Sequence, residues 1–185
     1  SIGILESVTR AETAQFSDDN GNIGKSTVEP LTNYFVTRIE KDYNKGVTKL
    51  GAIFTATNRK IEDAHLDMLP TAAYTGGVNF DHTWKNKKYN FAFKLMGSQV
   101  FGDAAAIDEL QTSSSRYYQR SDADHLTYDP TMTSLTGHAG NIWVGQLSNA
   151  GWSAIAWLSW QSPGFEINDL GYLRSADDIT QMLWA

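Results

Sequence analysis

Two stretches of the chain gather the side chains that acid–base chemistry needs. Asp122-Ala123-Asp124-His125, with Tyr128 and Asp129 close behind, places carboxylates, an imidazole and a phenol in one loop. Asp124 and His125 are the candidates for general acid or base, or for metal ligation, in that stretch. Asp129-Pro130 starts a turn, so loop folding is the plainer use of the same residues. Glu166 and Asp169 form the second candidate, a carboxylate pair of the kind that cleaves glycosidic bonds. Beside them, Ser162-Pro163-Gly164 is turn chemistry, and two acids three apart in a loop are common.

A third stretch has partial metal-ligand spacing. Asp18, Asn20 and Asn22 put oxygen side chains at alternate positions, and Glu29 follows Asp18 by eleven residues. That is the order of a calcium loop, but its sixth position needs Gly and holds Ile23, with Gly24 one place late. The alternative is a loop tip in which Asn20-Gly21 makes a tight turn.

Other chemistries are excluded by what is missing. With no cysteine, the chain has no thiolate nucleophile, thiolate zinc site or disulfide framework. No Gly-x-Ser-x-Gly elbow, phosphate loop or dinucleotide fingerprint occurs, so no cofactor is implied. A formal charge of −6 with dispersed Lys and Arg gives no phosphate-tracking stripe, which argues against nucleic acid as a partner. The four histidines are dispersed as His65, His82, His125 and His138.

The elements that must position these residues are strands. In 72–84 the even positions read Ala, Tyr, Gly, Val, Phe, His, Trp and the odd positions Ala, Thr, Gly, Asn, Asp, Thr. After the polar turn 85–88 the alternation resumes, with Tyr89, Phe91, Phe93 and Leu95 opposite Asn90, Lys94 and Ser98. This is a hairpin with one apolar and one polar face. The same reading gives strands near 2–13, 31–41, 47–57, 134–147, 152–161 and 176–185. Residues 153–160 are apolar on both sides, which leaves their inward face open. A short helix is expected at 104–111, behind Asp103 as N-cap, with Ile107 and Leu110 on one side.

Strand length and loop order carry the fold class. Runs of 10–13 residues exceed the roughly 5–6 usual in soluble sheets and match the roughly 9–11 that cross a bilayer. Short links (42–46, 85–88, 148–151) alternate with long ones (14–30, 58–70, 102–133, 162–175), the layout of an outer-membrane barrel. Trp84, Tyr89 and Trp152 flank the short turns, as an interfacial aromatic girdle would. The mean hydropathy of −0.37 does not oppose this, because alternating faces average out.

Several motifs together resemble a known family. They are Pro30-Leu31-Thr32-Asn33-Tyr34, Phe54-Thr55-Ala56-Thr57-Asn58-Arg59 and Ala73-Tyr74-Thr75-Gly76-Gly77. With them come Arg116-Tyr117-Tyr118-Gln119-Arg120, Tyr128-Asp129-Pro130-Thr131 and the run from Ser162 to Leu173. In this order they resemble an uncharacterised β-barrel domain of Gram-negative bacteria, especially Bacteroidota, across essentially the whole chain. In that family the domain follows a periplasmic module resembling family-9 carbohydrate-binding domains. The resemblance implies a larger outer-membrane barrel and supplies no reaction that can be carried over.

The expectation is an all-β fold: an antiparallel transmembrane β-barrel with long extracellular loops, one carrying a short helix. Residues 1–185 would be part of one such domain, about eight strands of a larger barrel. The carbohydrate-binding-like module would lie upstream, outside this chain. The expected function is non-enzymatic, in glycan or nutrient handling at the bacterial outer membrane. Its partners would be the lipid bilayer and glycans or other outer-membrane proteins. Two alternatives stay open: a membrane-associated hydrolase using loop carboxylates, and a soluble β-barrel that binds a small ligand.

Overall fold

Period-2 alternation becomes a single long antiparallel meander in the computed structural model, which describes residues 1–146 and 151–185. The strands are β1 (Ile2–Thr9), β2 (Glu12–Ser17), β3 (Ile23–Glu29), β4 (Leu31–Tyr43) and β5 (Thr48–Lys60). They continue as β6 (Ala72–Trp84), β7 (Tyr89–Phe101), β8 (Ser134–Gln146), β9 (Ala154–Gln161) and β10 (Asp178–Trp184). One α-helix, α1 (Ala104–Thr112), lies between β7 and β8, and a 3-10 turn (Ala64–Leu66) between β5 and β6. Eight strands form one sheet in the order β1-β4-β5-β6-β7-β8-β9-β10, and β2 and β3 form a separate hairpin. Among the described residues β1 pairs only with β4 and β10 only with β9, so the sheet is open.

The registers assign every side chain to a face. Arg38, Ile53, Gly77, Met96 and Ala139 are successive cross-strand partners, and so are Tyr34, Thr57, Ala73, Val100 and Leu135. We call this the inner face. The outer face carries Phe35, Ile39, Leu50, Phe54, Tyr74, Val78, Phe80, Phe93, Leu95, Ile142, Val144 and Leu158. In 154–161, which the sequence left open, Ile155, Trp157, Ser159 and Gln161 face inward, opposite Gly145, Trp143, Asn141 and Ala139.

The outer face stays uncovered. Leu50, Val78, Leu95, Ile142 and Val144 are each exposed, Val78 by half. The accessible surface is 11743 Å², against about 8,800 Å² for a compact monomer of this mass. What core there is lies on the inner face, under the long connections.

Residues 10–30, 61–71, 102–133 and 162–177 all leave the sheet at one end, and 44–47 and 85–88 turn at the other. The expected short link at 148–151 falls almost wholly outside the described residues. The short turns use left-handed backbone at Asn44, Lys45 and Gly46, and again at Lys85, Asn86 and Lys87. Asn and Gly tolerate that conformation, whereas at lysine it costs roughly 1–2 kcal/mol per residue.

Two expectations need correction. Residues 2–13 are not one strand: pairing with β4 stops at Thr9↔Thr32, and the chain turns away into β2. The supposed loop 14–30 is largely the hairpin β2–β3, exposed along β2, where no buried face imposes an alternation. The helix forms as expected, but among the described residues Asp103 makes no side-chain capping bond.

Candidate functional site

The long-connection end is where functional side chains meet, because two connections fold back onto the inner face and cap it. α1 lays Ile107 on Ala73, Val100 and Leu135, with Leu110, Tyr118 and Met132 around them. Residues 162–177 bring Phe165, Leu173 and Ala176 onto Ala139, beside Met96 and Ile167. This second contact is backbone on backbone. A Cβ on Gly137 would overlap Gly164 and Phe165, and one on Gly164 would overlap the Thr136 carbonyl. Ser98 on β7 accepts the Glu166 N–H at 2.9 Å, fixing the loop's height above the sheet.

Three arginine–carboxylate pairs hold the cap together. Arg116 and Glu166, both almost wholly buried, meet at 2.5 Å. Arg116 also donates to the Phe165 carbonyl at 2.6 Å and to Ser115 Oγ at 3.1 Å, while its Nε is buried with no partner among the described residues. Glu166 Oε1 accepts the Asn168 N–H at 2.5 Å, so both carboxylate oxygens are engaged. Arg59, from the end of β5, reaches Asp169 at 2.5 Å and donates to the Pro70 carbonyl at 3.0 Å. Arg120 pairs with Asp177, and His125 Nε2 lies 2.9 Å from the same carboxylate. Asp177 sits at φ 58°, a backbone state that Asp adopts more readily than most residues.

The hydrogen bonds inside the 102–133 connection follow the same logic. Gln111, fully buried on α1, donates to the Asp129 carbonyl at 2.9 Å and accepts the Asp129 N–H at 3.1 Å. Hydrogen bonds from the Thr131 hydroxyl and then its N–H hold the Asp129 carboxyl below the usual carboxylate range. Tyr128 donates to Asp108 Oδ1 at 2.6 Å, and that bond raises its phenol pKa. Burial raises that of Tyr118, with nearby Arg116 opposing and Asp177 adding.

Each residue singled out by sequence now has a place. Glu166 and Asp169 are held by different arginines rather than aimed at a common point. His125 faces Asp177 and not Asp124, which is exposed and outside every ion pair found among the described residues. Asp18 closes the β2–β3 turn. Its oxygens accept the Asn20 and Asn22 N–H groups and the Asn22 amide, and the Asn22 side-chain bond leads in lowering its pKa. Glu29 pairs with Glu12 at the far end of that hairpin, roughly 20 Å away along β3. Asp18, Asn20, Asn22 and Glu29 therefore do not converge on one ion. Sequence reading missed Arg59, Arg116, Arg120 and Asp177, whose partners are distant in the chain.

Comparison with protein-family models finds a match to a domain of unknown function, DUF5916, over residues 1–185. The chain belongs to that family. Comparison with curated proteins and with solved structures returns no match. In this DUF5916 chain, the motifs 116–120, 128–131 and 162–173 all lie in the cap, with Arg59 from a fourth motif. The cap's chemistry is that of a latch: Arg59, Arg116 and Arg120 are matched by Asp169, Glu166 and Asp177 respectively.

Proposed function

We propose that this DUF5916 chain is part of an outer-membrane β-barrel in which the outer face meets lipid and the inner face lines a water-filled lumen. The single observation that carries the reading is the outer face. It is continuous, apolar and exposed across the sheet, while Arg38, Glu40, Asp42, Lys49, Asn79, Asp81, Lys94 and Asn141 lie on the inner face. From Tyr74 to Trp84 the outer band of β6 spans about 25 Å at a tilt of about 40°, the height expected of a lipid-facing band. A ladder of stacked rings, Phe80, His82, Trp84 and Tyr89, closes the band at the short-turn end. That supports an interfacial girdle. The open edges of β1 and β10 fit a barrel with more strands than these eight.

In this reading the long connections face the cell exterior and the cap restricts the lumen from that side. The protein would serve glycan or nutrient handling at the surface without being an enzyme, in line with the family resemblance. Cysteines at Asp18, Asp63 and Asp124 are expected to react with an impermeant label on intact cells, and those at Asn44 and Asn86 to stay protected. The reverse pattern, or recovery of the complete protein in the soluble fraction, would overturn it. The hydrolase alternative has less behind it, since Glu166 and Asp169 are each engaged by an arginine. An open sheet with a bare apolar face likewise offers little to a soluble ligand-binding barrel.

A further inference from the structure

Charge in this chain is sorted along the strand axis. The four long connections hold sixteen of the 21 carboxylates and five cations, whereas the turns 44–47 and 85–88 hold four lysines and no carboxylate. The sorting extends to the faces at the short-turn end. Glu40, Asp42 and Asp81 are inner-face residues, grouped around Lys49 by the register Asp42↔Lys49↔Asp81. On the outer side the Lys41 ammonium lies 4.9 Å from the Tyr43 ring centre, and those of Lys85 and Lys88 lie 5.5 and 5.6 Å from that of Tyr89. With Lys45 and Lys87 at the turn tips, this makes an outer rim of five lysines, none in an ion pair found among the described residues.

Backbone conformation gives a second, independent argument. Lys45, Lys85 and Lys87 occupy left-handed positions with φ between 56° and 64° or, for Lys85, at 48°. Asn or Gly would fit such turns with less strain, and both types are present beside them at Asn44, Gly46 and Asn86. Strain retained where an easier residue is available points to a use for the side chain. Ammonium groups set at the level of tyrosine and tryptophan rings match a layer of phosphate-bearing headgroups.

We propose that this lysine–tyrosine rim is a seat for anionic phospholipid headgroups, which fixes the depth and direction of the barrel in its membrane. The proposal rests on the barrel reading above and names the lipid class at one end of it. Its partner is a negatively charged phosphodiester lipid, bound by Lys41, Lys45, Lys85, Lys87 and Lys88 around Tyr43 and Tyr89.

The test uses the complete protein and vesicles of phosphatidylcholine alone or with about 30 % phosphatidylglycerol. Wild type is expected to associate about tenfold more tightly with the anionic vesicles at low salt, with the difference collapsing near 0.5 M salt. The triple variant Lys45→Asn, Lys85→Asn, Lys87→Asn relieves backbone strain, so it is expected to fold at least as well in the neutral vesicles. It should lose most of the anionic preference. Equal association with both lipids, or a variant that keeps the preference, overturns the proposal while leaving the barrel reading standing. Failure of the wild type to insert into either vesicle overturns both.

Discussion

Arg116 and Glu166, 50 residues apart in sequence, form a 2.5 Å ion pair in which both side chains are withdrawn from solvent. Such a pair holds two connections in one arrangement, because separating its members leaves a charge stranded in a low-dielectric site. Removing one partner of a buried pair costs about 3–5 kcal/mol, whereas replacing both by apolar residues of similar size is close to neutral. Arg116→Met or Glu166→Gln alone should therefore loosen residues 113–120 and 162–177, seen as faster amide exchange there. The double replacement Arg116→Met with Glu166→Leu should recover most of the protection. Additive losses in the double variant would show that the pair is not the latch.

The seam between β8 and the 162–177 connection depends on missing side chains. Gly137→Ala and Gly164→Ala each place a methyl group on backbone atoms that cannot swing aside, with an expected loss of about 1–3 kcal/mol. Gly76→Ala is the control, since its Cβ would come no nearer than 3.9 Å to any neighbour. Limited proteolysis of 162–177 should accelerate in the first two variants and stay unchanged in the third. Acceleration in all three would mean that general strand weakening, and not the seam, is responsible.

The strand faces were legible in the sequence because a half-covered sheet forces apolar and polar residues to alternate. That rule placed Phe54 and Lys49, or Phe93 and Lys94, on opposite sides without error. It had nothing to say about β2 and β3, which leave the sheet and bury little; only Asn20-Gly21 signalled their turn. The cap was legible as candidate chemistry but not as contacts. Glu166 and Asp169 look like a pair three residues apart, and nothing local reveals that Arg116 takes one and Arg59 the other. His125 likewise sits beside Asp124 in sequence and beside Asp177 in space.

Titration should loosen the 102–133 connection from both directions. Asp129 is held below its ordinary value of 3.8 by Thr131, so its contribution is present above that value and lost as pH falls through and below it. Tyr118 and Tyr128 are raised above 10.0, by burial and by the Asp108 hydrogen bond respectively. Their contribution is complete below about pH 10 and lost as pH rises through the raised values. Phenolate absorbance should show a late-ionising component that shrinks in Tyr118→Phe, leaving the share that belongs to Tyr128. A Tyr118→Phe protein with an unchanged titration curve would contradict the burial argument.

Val78 and Asn79 are neighbours in β6 that face opposite sides of the sheet, which makes them a sharp probe of what the outer face meets. Val78 is half exposed in a band of apolar side chains, and Asn79 lies inward between Gly51 and Lys94. If the band faces lipid, Val78→Lys buries an ammonium near mid-bilayer and makes folding into vesicles less favourable by about 2–4 kcal/mol. Asn79→Lys faces the aqueous side, beside Lys94, and should change it by about 0.5 kcal/mol or less in high salt. If the outer face meets water instead, Val78→Lys should be as mild as Asn79→Lys, since a half-exposed lysine is then simply solvated. Equilibrium folding of the two variants of the complete protein into neutral vesicles separates these cases, and equal effects would remove the main support for a transmembrane sheet.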